Sequence, residues 1–146
     1  MLDTYGLPAF VAAPGVETRP VTPHSAAGDR LLCVAAVLPH KGHDVLAEAL
    51  AMLPDAGWTC LCVGSLERAP EFAAEVRGRA PAGMRFAGPR TGADLDAAYA
   101  DADLLVVATF AVGSALQRAQ LRRFGGRARS LPSNRQLTRQ LVRLLS

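Results

Sequence analysis

Residues 30–53 read RLLCVAAVLPHKGHDVLAEALAML, and this stretch decides the fold. It opens on Arg30–Val37, an almost continuous apolar run. A strand with one wet face alternates polar and apolar residues, whereas a run like this marks a strand buried on both faces. Pro39-His40-Lys41-Gly42 then turns the chain. From His43 to Leu53 the period becomes helical, with Leu46, Ala49, Leu50 and Leu53 on one stripe and Asp44 at the positive end. Pro54 and Gly57 stop it.

The same unit recurs downstream. Thr59–Val63 is a second buried strand, ended by Gly64. Residues 70–80 form a weaker helix with Pro70 in its first turn and Phe72, Val76 and Ala80 on one face. Met84–Ala87 is a third strand, ended by Gly88-Pro89. Ala93–Ala100 is a short helix whose apolar side is Leu95, Ala98 and Tyr99, and Leu104–Ala108 is a fourth strand. Alternating strands and helices with short links predict an α/β fold. Its core is a doubly wound, Rossmann-like parallel sheet of about four strands with right-handed crossovers. Ligands of such sheets bind at the carboxyl ends of the strands.

The pattern divides the chain in three. Residues 1–29 are rich in Pro and Gly, with Phe10–Ala13 the one candidate strand, and read as a linker-like segment. Residues 30–111 are the Rossmann-like domain. Residues 112–146 form an Arg-rich tail with candidate helices at 114–123 and 134–145, and FGGRARSLPS between them reads as loop.

Composition agrees with one domain plus a tail. The chain has 146 residues, is 50% hydrophobic, 20% charged and 5% aromatic, and so buries a core without being a large multidomain enzyme. Its net charge of +3 and pI near 9.1 are averages over two unlike parts. Residues 1–111 carry eight basic groups and all 13 acids, for a net −5; residues 112–146 carry eight arginines and no acid, for +8. Cys33, Cys60 and Cys62 all lie in apolar strands, which favours burial in a reducing compartment over disulfides. No basic leader and no run near the ~20 residues of a membrane helix is evident, so a cytoplasmic location is expected.

Local signals for chemistry are modest. Lys41-Gly42 follows the first buried strand and opens a helix, where a lysine and free amides suit an anion. The competing reading is a surface lysine beside a turn glycine. Against that, Lys41 is the sole lysine among 16 basic residues. Gly64 and Gly88 end strands, and either turn or line the same cleft. Cys60-x-Cys62 and the His40/His43 pair lack partners at ligand spacing, so no metal site and no cofactor are expected. Walker, Gly-x-Gly-x-x-Gly, Gly-x-Ser-x-Gly and His-Glu-x-x-His motifs are absent.

Taken together, YGLPAFVAAPGVETRPVTP, RLLCVAAVLPHKGHDVLAEALAML, TCLCVGS and MRFAGPRTGADLDAAYADADLLVV resemble, in order, the nucleotide-sugar-binding half of retaining GT-B glycosyltransferases (glycosyl transferases group 1). The resemblance spans roughly residues 5–108. It implies that Lys41 and Gly42 meet the diphosphate of a UDP- or GDP-sugar. It implies that Gly64 and the Gly88–Arg90 turn border ribose and base, and that Gly15 lies at the interdomain cleft. The activity it implies is hexose transfer with retention, with a separate acceptor-binding domain or chain as partner.

Two departures qualify that activity. The arginine that the family often places five residues before the lysine is Ala36 here. The Pro-Ser-x-x-Glu-x-x-Gly loop and Glu-Ala helix expected after the fourth strand are missing, because no acid follows Asp103. No catalytic residue is therefore assigned, and the chain alone is expected to be inactive. The alternative is a non-catalytic Rossmann-like binding or interaction module. The tail itself has three readings: out-of-frame translation of a high-GC gene, a native helical tail covering the sheet edge, or a nucleic-acid contact. The last is disfavoured, since only Phe124 could stack on a base.

Overall fold

A computed structural model describes residues 23, 25–53, 57–109 and 129–130. The strands are β1 (Arg30–Val34), β2 (Thr59–Val63), β3 (Met84–Gly88), β4 (Leu104–Val107) and β5 (Arg129–Ser130). The helices are α1 (His43–Ala51), α2 (Pro70–Arg79) and α3 (Gly92–Asp101), and Pro39–Lys41 makes one 3₁₀ turn. The sheet order is β3-β2-β1-β4-β5, and every pairing is parallel.

The order follows from the connections. The chain moves outward from β1 to β2 to β3, then jumps back across β1 to β4. Right-handed crossovers in opposite directions place their helices on opposite faces. Accordingly one face packs Leu31, Cys33, Cys60, Cys62 and Val106 with Leu46 and Leu50 of α1 and Val76 of α2. The other packs Leu32, Val63, Leu105 and Val107 with Ala98 of α3. Leu32, Leu46 and Leu50 have no exposed surface, and each fully buried leucine contributes about 1.5–3 kcal/mol.

The strands and helices fall where hydrophobic period places them; β2 matches, β1, α1, α2 and β4 end earlier than read, and β3 and α3 run one residue longer at one or both ends. β1 stops at Val34 instead of Val37 because β4 pairs only with Leu31 and Leu32; beyond Val34 the Ala35 and Val37 amides donate only to the β2 side. The stretch read as loop contains a further strand, since Arg129 and Ser130 pair with Val106 and Val107. Two residues are too few to carry a period, so pattern could not reveal it. The candidate strand at 10–13 and the two tail helices lie outside the described residues. Among the described residues, no helix is long and apolar enough to cross a membrane.

At the amino ends of the strands Asp103 ties the sheet together. It is buried between β4 and α3 and accepts hydrogen bonds from the Ser25 amide and hydroxyl (both 2.6 Å), the Arg30 amide (3.0 Å) and Arg30 Nε (3.2 Å). Burial alone would raise its pKa; the Arg30 and Ser25 donors outweigh that and hold the carboxylate well below its ordinary range. Arg30 also reaches the exposed Asp101 at 2.6 Å.

Candidate functional site

The carboxyl ends of β1 and β4 are where the strand order reverses, the place where ligands bind open α/β sheets. The Lys41-Gly42 turn sits at this point and is held against the β4 exit. Gly42 has φ +68°, and a Cβ there would fall 2.2 Å from the Ala108 carbonyl oxygen at the β4 exit. Only glycine satisfies both conditions. The Thr109 hydroxyl, also at the β4 exit, donates to the His40 carbonyl at 3.0 Å. The Lys41 amide donates to Leu38 O (2.9 Å) and the Gly42 amide to Pro39 O (3.3 Å), closing the 3₁₀ turn.

Gly42 is at once the end of that turn and the N-cap of α1, and no side chain of the described residues caps the helix. Among the described residues, the first amides of α1 therefore have no side-chain acceptor, at the positive pole of the helix. Lys41, half-buried, adds a positive charge two residues before His43. Asp44 in the first turn is the one acidic residue there, and its Oδ1 is buried with no hydrogen-bond partner among the described residues.

Gly64 and Gly88 continue the same rim. The Gly64 amide donates to Gly88 O at 2.9 Å, and the Ala35 and Val37 amides donate to Val63 O and Ser65 O at 3.0 and 2.9 Å. A Cβ on Gly64 would lie 1.9 Å from the Ala35 carbonyl oxygen. Close backbone packing against the β1 exit is thus reason enough for this glycine. Gly88 has φ +71° with open space where a Cβ would be, just after the register shift between Cys62 and Val63. Arg90 follows, half-buried. The structure thus places Lys41 and Gly42 at the β1–β4 exit, Gly64 at the β2 exit against Ala35, and Gly88 and Arg90 two strands from β1, about 10 Å. Gly15 lies outside the described residues.

Two features were invisible in the sequence. The Ala108–Thr109 clamp on the turn depends on β4 lying beside β1, which only the strand order reveals. The second is a buried cluster of Cys33, His43 and Cys62, whose ligand atoms lie within 4.8 Å of one another. Its members come from three elements, so linear spacing could not find it. Hydrogen bonding toward Cys62 and burial raise the Cys33 pKa, with His43 opposing; Cys62 is also held as a thiol, its contact with Cys33 outweighed by Cys60 and burial.

Comparison with known proteins gives this rim a context. No curated protein is similar enough to the chain to count as a relative. Among solved structures, a glycosyltransferase from Rickettsia africae ESF-5 superposes with a TM-score of 0.51 at 27% identity, covering 56% of this chain and 22% of that one. The chain thus spans under a quarter of that enzyme's length. Residues 28–121 match the family model described as glycosyl transferases group 1. The match starts after most of the linker-like segment and runs ten residues past Ala111, further than the quoted motifs reach. It includes β1 to β4 and the whole Lys41–Gly88 rim, more than half of the sequence. The chain belongs to the group 1 glycosyl transferases.

Proposed function

We propose that this chain is the nucleotide-sugar-binding half of a retaining GT-B glycosyltransferase, and that alone it binds a UDP- or GDP-sugar weakly without transferring the hexose. The observation that carries this reading is the doubly locked Lys41-Gly42 turn at the uncapped N-terminus of α1. A diphosphate seated there meets backbone amides, the helix pole and one lysine. In transfer, the same groups stabilise the charge that grows on the leaving diphosphate. Gly64, Gly88 and Arg90 then border ribose and base along the rim, with the nucleotide lying across β2.

Inactivity follows from the tail. Residues 112–146 contain no carboxylate to hold the donor sugar. Closure over donor and acceptor, which excludes water, needs the opposite half of the cleft from a separate domain or chain. Residues 1–29 would link to that half, with Gly15 at the cleft; residues 30–111 form the donor domain and 112–146 the tail. Incubating the 146-residue chain with UDP- and GDP-hexoses and following sugar release tests this. No turnover is expected, and measurable transfer or hydrolysis overturns it.

A non-catalytic module is the second reading, favoured by the Gly64 packing that needs no ligand. Saturable nucleotide binding that depends on Lys41 separates the two.

A further inference from the structure

We propose that Cys33, His43 and Cys62 form a binding site for one zinc-type divalent cation between the sheet and α1. Parallel pairing sets Cys33 directly beside Cys62, and α1 begins with His43 over the same face. The three side chains are buried, and Cys33 Sγ lies 3.7 Å from His43 Nε2. With all three ligand atoms within 4.8 Å of one another, a central ion is at most about 2.8 Å from each. A contraction of about half an ångström reaches the ~2.3 Å of Zn–S bonds, and slightly more the ~2.0–2.1 Å of Zn–N. Cys60, buried on the same strand face beside Cys62, is the next sulfur in reach.

Two properties distinguish this cluster from ordinary core packing. His43 is fully buried and turns Nε2 toward Cys33 Sγ, so this nitrogen is the one placed to ligate an ion, while Nδ1, on the other side of the ring, has no hydrogen-bond partner among the described residues. The charge also balances: two thiolates and a neutral imidazole around a divalent ion leave no net charge to bury. Binding replaces the two thiol protons by the ion and releases both to solvent, with no change in oxidation state. The ion would tie β1, β2 and α1 together beneath the Lys41-Gly42 turn. None of this depends on nucleotide binding.

The test uses the full 146-residue chain, reduced and stripped of metal. Zinc is titrated against a chromophoric chelator, and cobalt is added separately as a spectroscopic probe. One equivalent of zinc is expected, and cobalt should give thiolate-to-metal charge-transfer absorption. Cys33→Ser, Cys62→Ser and His43→Ala should each weaken zinc binding roughly a hundredfold or more, and Cys60→Ser less than about tenfold. Because the core variants could fail to fold, the unmodified chain carries its own readout: zinc should slow alkylation of Cys33 and Cys62. Absent charge-transfer absorption, zinc binding unchanged by Cys33→Ser and Cys62→Ser, or a Cys60→Ser loss equal to that of Cys62→Ser would each overturn the assignment.

Discussion

Replacing Asp103 by alanine should be among the most destabilising single changes in this chain. The carboxylate is buried and accepts from the Ser25 amide and hydroxyl and from the Arg30 amide and Nε, all within 3.2 Å. Hydrogen bonds to a charged group are worth about 1.5–3 kcal/mol each but do not add. Breaking a buried pair usually costs about 3–5 kcal/mol. Arg30 is partly exposed and recovers water when its partner is lost, so about 3 kcal/mol is the expected cost. Asp101, exposed and paired with the same arginine, sets the scale of a surface pair: Asp101→Ala should cost less than about 1 kcal/mol. Urea unfolding followed by circular dichroism measures both. The sign with pH is fixed by the lowered pKa. A depressed carboxylate stabilises the fold fully above its unfolded value, about pH 4, and progressively less as pH falls through the folded value. The gap between wild type and Asp103→Ala should therefore narrow below about pH 4. If Asp103→Ala costs no more than Asp101→Ala, or if the gap is constant from pH 7 to pH 2, the clamp is not what joins the β1 and β4 entries.

Other changes probe the rim and the core. Gly64→Ala places a Cβ 1.9 Å from the Ala35 carbonyl oxygen and should cost about 2–3 kcal/mol in thermal or urea unfolding. Gly42→Ala adds left-handed backbone strain to a 2.2 Å overlap and should cost about 3 kcal/mol while abolishing any nucleotide binding. Leu50→Ala, at a fully buried position on α1, should cost about 2–5 kcal/mol. Lys41→Ala should leave stability within about 0.5 kcal/mol, since among the described residues no hydrogen bond or ion pair holds the lysine side chain, yet weaken UDP or GDP binding roughly tenfold in calorimetry.

What sequence revealed and what it hid have physical causes. Arg30–Val34, Thr59–Val63 and Leu104–Val107 were legible because strands buried on both faces exclude polar residues. The α1 stripe was legible because one face packs on the sheet. Position along the chain likewise placed Lys41-Gly42 at a strand exit. Lateral order was not legible, and with it went everything that depends on neighbours. The Ala108 contact that demands Gly42, the Ala35 contact that demands Gly64, and the meeting of Cys33 with Cys62 are all consequences of strand pairing. The Asp103 clamp was hidden for the same reason, since its partners lie more than 70 residues away. Ser25 sits in a segment whose composition suggested only a linker.

Nucleotide binding at the Lys41-Gly42 turn is read most directly by titrating the ¹⁵N-labelled chain with UDP and with GDP and following backbone amide shifts. Saturable shifts are expected at Gly42, His43 and Asp44, smaller ones at Gly64 and Gly88, and their loss in Lys41→Ala. Absence of saturable shifts at the start of α1 with either nucleotide, or shifts there that survive Lys41→Ala unchanged, would contradict it.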